Sequence, residues 1–483
     1  MKLVTAKEMR FAERKLAEAG LSEQILMENA AMALFNEIIK QNPSRVAVVT
    51  GKGQNAGDGF ALARLLFAAG INTAVLELAD EDDYRGAALQ NYKIMCSLGV
   101  LHTEFSEAEI LNADVIAECI CGTGFHGELA GKYKAAANTI NRADGYVISA
   151  DVPLGVNSDT GEADKNSVKA DKTVTFGYAK RGLYSPLSAD FTGDVKVCGI
   201  SVPNDTVNTD INLVDKNDIV LPILSRGANK GTMGKTLVAG GSLGMLGAPC
   251  LAAYAAQLCG TGTVTVAAPH DMALPLMSRL TCAMYKDIDS VDFENYDSVL
   301  IGNGMGNSLK TQRTLQRAIK NCRGKLVIDA DAINALADDT GMLNGHTCDI
   351  IITPHPKEFS RLTGIAVEEV LCRRIELAVD FAKKYNVILV LKTAFTVVAA
   401  PGGKAYINST GNEGMATGGS GDVLAGMTAG LAPRLSALES AKTAVFLHGA
   451  AGDFAAAKLG KASVTAASLA DNIPDAFSLF EKN

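Results

Sequence analysis

The chain has 483 residues, which is too long for one ordinary domain and predicts two or three. Apolar residues make up 48% and charged residues 20%, which excludes an intrinsically disordered chain. Residues 1–224 hold 21 Lys and Arg against 30 Asp and Glu, whereas residues 225–483 hold 24 against 23. Because neither half is basic and the chain has no Trp, we expect no nucleic-acid partner and no anionic-membrane surface.

The ten cysteines are scattered, and only Cys119 and Cys121 lie close together, with no second pair at a zinc-binding spacing. The N-terminus lacks the apolar core of a signal peptide. The longest uncharged stretch, residues 236–269, is interrupted throughout by Gly, Ser and Thr. We therefore expect reduced thiols, no membrane association and a cytoplasmic location.

Strands, Gly-rich turns and helices alternate in the first part of the chain. Residues 5–40 have the spacing of two amphipathic helices, and residues 58–69 that of a third. Strands are predicted at residues 45–50, 72–78, 113–120, 146–150 and 172–176. Each is a nearly continuous apolar run, which is typical of a parallel sheet covered by helices on both faces.

This alternation stops in the polar segment 202–225 and then restarts, so we predict two α/β domains, 1–215 and 225–483. In the second domain, helices are predicted at residues 248–258, 417–431 and 435–457, and a hairpin at 395–400 and 405–408. Its other strands are predicted at residues 235–239, 263–267, 298–301, 325–328, 349–353 and 387–391. Loops rich in Gly and Asp follow the strands, at the sheet edge where ligands bind in open α/β folds.

Residues 51–59 (GKGQNAGDG) join a strand to a helix and partly match a dinucleotide-binding fingerprint, with Glu77 at the end of the next strand. Asn55 and Asp58 add groups that can coordinate a cation or a ribose. Asp151 follows another strand of the same sheet. The alternative interpretations are a tight strand–helix turn for the loop and a helix N-cap for Asp151.

Residues 411–422 (GNEGMATGGSGD) contain five Gly before a helix and form the strongest single motif. The Gly-rich turn can wrap an oxyanion with backbone N–H groups, aided by the helix dipole. Asp422 can then act as a base toward a hydroxyl beside the phosphate. An Asp that only capped the helix would not require so much Gly before it.

The other loops allow several interpretations. Residues 302–306 (GNGMG) indicate close approach of the backbone to another group. His355 lies in a rigid Pro-flanked loop, and Lys392 follows a strand. Residues 240–244 (GGSLG) fit a serine-hydrolase elbow at Ser242, with Asp329 and His448 as partners, but also a wide Gly-rich loop. The Ala-rich surroundings of His448 favour a structural role.

These segments together resemble two known domain families. Residues 238–251, 300–306, 327–336, 351–362 and 407–426 resemble the NAD(P)H-hydrate dehydratase family of the ribokinase-like superfamily. Residues 51–59, 119–127, 149–161 and 170–182 resemble the NAD(P)H-hydrate epimerase domain. The fusion is typical of bifunctional NAD(P)H-hydrate repair enzymes. It implies a Rossmann-like three-layer αβα domain followed by a ribokinase-like three-layer αβα domain.

The resemblance implies two reactions on NADH hydrate and NADPH hydrate. The epimerase domain interconverts their R and S forms, and the dehydratase domain restores the S form to NAD(P)H. The dehydratase uses ADP, or alternatively ATP, with Mg²⁺, and yields AMP and phosphate when ADP is used. A K⁺ ion belongs to the epimerase site, and we expect a homo-oligomer. A ribokinase-like kinase for a vitamin or sugar, and an N-terminal domain without epimerase activity, remain alternatives.

The resemblance also implies roles for residues of the second domain. Asp422 would be the catalytic base, beside a phosphoryl group held by Gly418, Gly419, Ser420 and Gly421. The nucleotide would contact Lys392, Thr393, Ala394, Phe395 and Thr396. The hydrated cofactor would lie against Ala248, Gly304, Gly306, His355 and Asp422.

In the first domain the resemblance implies Asp151 as the catalytic residue at the nicotinamide ring. The cofactor would be bound by Gln54, Asn55, Ala56, Gly57, Asp58, Gly122, Thr123, Gly124, Phe125, His126, Gly127 and Glu128. K⁺ would be held by Asn55, Glu118 and Leu154.

Six positions depart from the family pattern. Gln54 and Ala56 replace Asn and Gly, Glu118 replaces Asp, and Leu154 replaces Ser, so that only the Leu154 backbone could serve a cation. In the second domain, Thr393 replaces Gly after Lys392, and Asn303 replaces the Pro of a Gly-Pro-Gly loop.

Overall fold

The structure is a computed structural model and describes residues 1–480. The chain forms two compact units, one covering Met1–Ile211 and the other beginning at Asn212. Both are built on parallel sheets, which confirms the predicted α/β class. All ten cysteines are free thiols. Within residues 1–480, no helix combines the length and the apolar character needed to cross a membrane.

The first unit has nine strands and seven α-helices within residues 1–200. The strands are β1 (Leu3–Val4), β2 (Arg45–Thr50), β3 (Asn72–Glu77), β4 (Leu101–Glu104), β5 (Val115–Cys119), β6 (Tyr146–Ala150), β7 (Lys172–Phe176), β8 (Ala179–Lys180) and β9 (Asp194–Cys198). The helices are α1 (Ala6–Glu18), α2 (Glu23–Ile38), α3 (Gln54–Ala68), α4 (Gly86–Ser97), α5 (Glu107–Leu111), α6 (Gly131–Ile140) and α7 (Ala189–Thr192).

The main sheet of the first unit has seven parallel strands in the order β4-β3-β2-β5-β6-β7-β9. Alternate residues of β2 enter opposite cores: Val46 and Val48 pack on one face, and Ala47 and Val49 on the other. Helices therefore cover both faces, as the continuous apolar runs predict. The strand order reverses between β2 and β5, which opens a crevice beyond their carboxyl ends.

The second unit has ten strands in one sheet. They are β10 (Ile211–Leu213), β11 (Lys235–Ala239), β12 (Thr263–Ala268), β13 (Ala283–Asp287), β14 (Ser298–Ile301), β15 (Lys325–Ile328), β16 (Asp349–Ile352), β17 (Ile388–Leu391), β18 (Val397–Ala399) and β19 (Ala405–Ile407). Their order is β10-β19-β18-β17-β16-β15-β14-β11-β12-β13, so the order reverses between β11 and β14. The predicted hairpin is β18–β19, which pairs antiparallel.

Eleven α-helices accompany this sheet in the described part of the second unit. They are α8 (Gly247–Leu258), α9 (Ala273–Arg279), α10 (Leu309–Asn321), α11 (Asp331–Asp338), α12 (Pro356–Thr363), α13 (Val367–Cys372), α14 (Arg374–Tyr385), α15 (Ser420–Leu431), α16 (Ala437–Leu459), α17 (Ala466–Asp471) and α18 (Ile473–Ser478).

Several boundaries differ from the prediction. Helix α3 begins at Gln54, four residues earlier than predicted, so the second half of the Gly-rich segment 51–59 belongs to the start of the helix. Helix α15 begins at Ser420 rather than at residue 417, because Gly419 adopts a left-handed conformation with φ +92°. Strands β4 and β9 were not predicted. β4 is exposed along its length, and both carry charged or polar residues that mask the apolar pattern.

Helices α8 and α15 pack closely through small residues. A Cβ atom at Gly426 of α15 would lie 2.2 Å from the Ala252 carbonyl oxygen, and one at Gly430 would lie 2.6 Å from that of Ala256. No side chain fits in either place. This contact fixes α15, and therefore the Gly-rich turn before it, against α8.

We expect Gly426→Ala to destabilise the protein by about 1 to 3 kcal/mol, the usual cost of overpacking a core. The added methyl group must push α15 away from α8. Gly247→Ala is the matched control, because a Cβ atom there meets nothing within 4 Å. Chemical denaturation and hydrogen exchange of α8 and α15 measure the effect. A Gly426→Ala protein as stable as the control would contradict this packing.

Candidate functional site

The crevice of the second unit begins with two Gly-rich loops that are hydrogen-bonded to each other. Gly241 N–H donates to the Asn303 carbonyl oxygen over 2.9 Å, and the Ser242 hydroxyl donates to the Gly304 carbonyl oxygen over 2.9 Å. Gly304 has φ +67°, and a Cβ atom there would lie 2.4 Å from the Met245 carbonyl oxygen. Only glycine fits at that position.

The other predicted residues of this region lie beside the same loop. The Ala248 side chain is 3.4 Å from the position of a Gly304 Cβ atom. Gly306 N–H donates to Asp331 Oδ2 over 2.8 Å. Ala248, Gly304 and Gly306, which the resemblance assigned to the hydrated cofactor, are therefore brought together.

The serine-hydrolase interpretation is wrong, because the three proposed residues have other partners. Ser242 donates to a backbone carbonyl, and Asp329 is bonded to Lys392 and Asn303. His448 Nε2 lies 2.9 Å from the carbonyl oxygen of Ser420. Burial lowers the pKa of His448 to about 4, so the ring is neutral and supports the Gly-rich turn from within.

A buried network of charges occupies the floor of this crevice. Lys392 Nζ donates to Asp329 Oδ1 over 2.7 Å, and the Thr353 hydroxyl donates to the same oxygen over 2.8 Å. Asn303 Nδ2 donates to Asp329 Oδ2 over 3.0 Å and to Asp422 Oδ1 over 2.7 Å. The network joins residues that follow β14, β15, β16 and β17 to the start of α15.

His355 is the N-cap of α12, and its ring faces the network. Its Nδ1 accepts the backbone N–H groups of Lys357 and Glu358, so the proton of the neutral ring resides on Nε2. Burial lowers the pKa of His355, and the nearby Lys392 and Arg361 lower it further. His355 therefore presents a neutral N–H donor beside Glu358, whose Oε1 lies 3.5 Å from Nε2.

Residues 392–396, assigned to the nucleotide by the resemblance, form a strained turn from β17 into β18. Phe395 has φ +75°, which is rare for an aromatic residue. Its carbonyl oxygen accepts from Arg374 Nη1 over 2.9 Å and from the Thr393 hydroxyl over 3.3 Å, and Thr396 donates to the Thr393 carbonyl over 3.0 Å. Arg374 is buried and was not predicted, because α14 lies far from the motif in sequence.

The Gly-rich turn at Gly418–Gly421 adjoins both the network and this strained turn. A Cβ atom at Gly421 would lie 3.5 Å from Lys392 Nζ, and one at Gly419 would lie 4.0 Å from Asp422 Oδ2. Gly418 faces open space. The first N–H groups of α15 lack partners within the helix and are directed toward this point, which suits an anion.

The first unit contains a cavity of about 1010 Å³ beyond β2 and β5, closed on one side by α1 and α2. The predicted residues that line it are Gln54, Asn55, Asp58, Gly122, Thr123, Gly124, Phe125, His126, Glu128, Asp151 and Leu154. The predicted residues Ala56, Gly57, Gly127 and Glu118 are not in the lining. Gly57 lies against Met27 of α2, and Glu77 pairs with His102 instead of reaching the cavity.

Asp151 projects into this cavity from a strained position with φ +65°. Its Oδ1 accepts from Lys180 Nζ over 2.5 Å and from the Thr175 hydroxyl over 3.0 Å. A Cβ atom at Gly122 would lie 3.0 Å from Asp151 Oδ2. Lys180 is 1% exposed and was not singled out from the sequence, because one lysine after a strand carries no distinctive signal.

Two more carboxyl groups surround this pair. Burial raises the pKa of Asp58 well above its usual value, and the neighbouring Asp151 and Glu13 raise it further. Burial also raises the pKa of Glu13, which reaches the cavity from α1 and was not predicted. The cavity thus combines one ion pair with two carboxyl groups whose pKa values burial raises.

The residues assigned to K⁺ partly suit a cation. Asn55 Nδ2 donates to the Ala150 carbonyl oxygen over 3.1 Å, whereas the buried Asn55 Oδ1 has no partner among residues 1–480. Glu118 is fully buried, accepts N–H groups from Ile120 and Leu154, and has its pKa raised by burial to about 7. The Leu154 side chain packs in an apolar core, and its carbonyl accepts from Val168.

Comparisons with known proteins cover both units. A family model for NAD(P)H-hydrate dehydratase matches residues 236–475, and a model for the YjeF-related protein N-terminus matches residues 23–182. A bifunctional NAD(P)H-hydrate repair enzyme of Moorella thermoacetica is 36% identical over 98% of this chain and 96% of its own length. That of Coxiella burnetii is 35% identical over 96% of each chain.

Solved structures match the second unit. The ADP/ATP-dependent NAD(P)H-hydrate dehydratase of Bacillus subtilis, co-crystallised with ATP and Mg²⁺, is similar over 57% of this chain and all of its own. The TM-score is 0.53 and the sequence identity 29%. A ribokinase-like superfamily protein of Enterococcus faecalis is similar over 57% of this chain and 98% of its own, with TM-score 0.52 and 26% identity. The predicted ribokinase-like fold is confirmed.

Replacing Lys392 with Met should destabilise the second unit by about 3 kcal/mol at neutral pH, because buried carboxylates lose their cation. Burial already raises the pKa of Glu358 and Asp422, and Lys392 opposes this, so both values should rise further. Groups with a raised pKa in the folded state bind protons on folding. The variant should therefore lose more stability as the pH rises from about 4 to about 8.

Chemical denaturation across this pH range measures the difference from the wild type. Lys404→Met, at an exposed lysine of the same unit, is the matched control and should show no such trend. A loss of unfolding free energy in Lys392→Met that is the same at every pH would contradict the charge network.

Proposed function

The chain belongs to the family of bifunctional NAD(P)H-hydrate repair enzymes, and we propose that each unit carries out one of that family's two reactions in its own crevice. The similarity extends over nearly the whole length of the chain and of its relatives. The chain therefore repairs NADH hydrate and NADPH hydrate, as a nucleotide-dependent dehydratase and an epimerase. The assignment of these reactions to particular residues is our proposal.

The observation that supports the dehydratase site best is the position of Asp422. Its Oδ1 is held by Asn303, and its Oδ2 faces the Gly-rich turn that offers N–H groups to an anion. A hydroxyl beside a bound phosphate would therefore meet a carboxylate. Burial raises the pKa of Asp422, which makes its carboxylate a stronger base.

We propose that Asp422 accepts the proton of the ring hydroxyl while the hydroxyl oxygen attacks the terminal phosphorus of the nucleotide. With ADP, the bond to the bridging oxygen breaks and AMP leaves. The bond between the ring carbon and the ester oxygen then breaks and phosphate leaves, while the adjacent ring carbon gives up a proton, which the departing phosphate can accept, to restore the double bond. The water added in the hydrate is thus transferred to phosphate, which balances the reaction.

Residues 392–396 and Gly418–Gly421 would hold the nucleotide, either ADP or ATP. No cluster of three His, Cys, Asp or Glu within residues 1–480 could bind a metal alone, so Mg²⁺ would enter with the phosphates of the nucleotide. When bound, Mg²⁺ would neutralise phosphate charge. Ala248, Gly304, Gly306 and the neutral His355 would position the hydrated cofactor.

We propose that the cavity of the first unit binds the hydrated cofactor for epimerisation. Asp151 would lie at the nicotinamide ring, and Lys180 would hold its carboxylate in place. The turn at residues 54–58 and the loop at 122–128 would bind the remainder of the cofactor. Asn55 Oδ1 and Glu118 would hold K⁺, which would fix the loops around Asp151. A cytoplasmic location and a homo-oligomeric state remain predictions from the sequence.

Two single substitutions should separate the reactions. Asp422→Asn should lower the rate of nucleotide-dependent dehydration by roughly 10² to 10⁴, because the base is lost, and leave epimerisation unchanged. Asp151→Asn should lower the rate of epimerisation and leave dehydration unchanged. Recovery of the near-ultraviolet absorbance of reduced nicotinamide measures dehydration, and chromatographic separation of the R and S hydrates measures epimerisation.

The two variants serve as controls for each other, because each retains one reaction if the fold is intact. Dehydration at the wild-type rate by Asp422→Asn would exclude the assigned base. If the wild type consumes R hydrate no faster than the uncatalysed epimerisation, the first unit has no epimerase activity.

Potassium should raise the thermal stability of the first unit relative to the same concentration of choline. The expected cause is the pairing of buried Asn55 Oδ1 and Glu118 with a cation. Asn55→Ala should remove the K⁺ effect, whereas Gln54→Ala, at the exposed neighbouring position, should retain it. Differential scanning fluorimetry measures both. An equal K⁺ response in the two variants would exclude Asn55 as a ligand.

A further inference from the structure

The Asn303 side chain bridges two carboxylates and is completely buried. Its Nδ2 lies 3.0 Å from Asp329 Oδ2 and 2.7 Å from Asp422 Oδ1. Ionised carboxylates only accept hydrogen bonds, so the chemistry of the two partners determines which end of the amide faces them. Both N–H groups are therefore donated, one to each carboxylate.

The backbone at Asn303 is held independently of this side chain. The Asn303 carbonyl oxygen accepts the Gly241 N–H over 2.9 Å, and Gly302 lies so close to Asp329 that a Cβ atom would be 1.8 Å from its carbonyl oxygen. Glycine contacts on both sides thus determine the loop conformation. The side chain is not needed to shape the loop, which leaves its amide to act on the carboxylates.

The amide fixes the direction of the Asp422 carboxylate. Asn303 holds Asp422 Oδ1, and Asp422 Oδ2 is turned toward Gly419. A Cβ atom added at Gly419 would lie 4.0 Å from this oxygen. The free oxygen of the base therefore points to the turn that would hold the phosphoryl group. A carboxylate without this hydrogen bond could rotate about its terminal bond, which has a broad energy minimum.

We propose that Asn303 is a positioning residue for the dehydratase reaction, which aims Asp422 Oδ2 at the reacting hydroxyl and donates a hydrogen bond that favours the ionised carboxylate. This inference rests on the proposed role of Asp422. The resemblance does not assign this role, since the loop of the family pattern is Gly-Pro-Gly, and proline has no side-chain donor. In this chain the base is held by a hydrogen bond that such a loop lacks.

The charges around Asp422 explain why such a donor matters. Burial raises the pKa of Asp422, and the carboxylates of Asp329 and Asp331 raise it further. The Asn303 hydrogen bond and the Lys392 ammonium lower it. Glu358 and His355 face the same lysine from α12. Without the amide, Lys392 is the remaining group that lowers the pKa of Asp422, whereas burial, Asp329 and Asp331 still raise it. The pKa of Asp422 should therefore rise.

The test uses the full chain with Asn303→Leu, which keeps the branched shape of the side chain without a donor, and with Asn303→Ala as a smaller alternative. The acid limb of the pH dependence of kcat for dehydration should move up by about one pH unit, so the rate at a pH on that limb falls about tenfold. At alkaline pH the rate should recover in part but stay below the wild-type value, because the ionised carboxylate is no longer aimed. KM for the nucleotide should change less than about threefold.

A purely structural role predicts a different result: an equal loss of kcat at every pH, with no movement of the acid limb, or a rise in KM alone. Either result would overturn the proposal, as would wild-type behaviour of both variants. If Asn303→Leu does not fold, Asn303→Ala decides the question, because a smaller side chain cannot clash.

A second measurement requires no turnover. Infrared difference spectroscopy can follow protonation of the Asp422 carboxyl group, identified by the band that disappears in Asp422→Asn. The midpoint should lie higher in Asn303→Ala than in the wild type, and identical midpoints would overturn the proposal. If the wild type lacks dehydratase activity, the proposed function fails, while the midpoints still report on Asn303.

Discussion

In each unit a lysine side chain that is fully or mostly buried lies against a carboxylate at the carboxyl edge of a parallel sheet, and the crevices depend on these ion pairs. Lys392 binds Asp329 in the second unit, and Lys180 binds Asp151 in the first. A charge taken out of water is costly unless an opposite charge and hydrogen bonds replace the water. Each lysine offsets that cost and lets further carboxyl groups remain inside the crevice.

The scaffold places these pairs where a ligand can reach them. In both sheets the strand order reverses beside the strands that carry the Gly-rich loops, so a crevice opens at that edge. In the second unit, the close contact of α8 and α15 through Gly426 holds the Gly-rich turn and Asp422 over the Lys392 network. Packing of small residues in the core thus determines the geometry of the proposed phosphate site.

The sequence is sufficient to predict much of this arrangement, because apolar strands in a parallel sheet end at one edge and Asp422 follows a distinctive Gly-rich turn. Strands β4 and β9 were missed because their polar residues hide the pattern. Lys180 and Asn303 were not recognised as parts of the sites, because their importance comes from partners distant in sequence. Such contacts leave no periodic or local signal in the chain.

A crystal structure of the full chain with ADP and Mg²⁺ tests the central claim most directly, namely that the Gly-rich turn and Asp422 form one phosphoryl-transfer site. The terminal phosphate should lie against the first N–H groups of α15, with an oxygen beside Asp422 Oδ2. Its charge should also face Lys392. A nucleotide bound elsewhere, or one whose terminal phosphate is turned away from Asp422, would contradict the assignment of the base and of the phosphate site together.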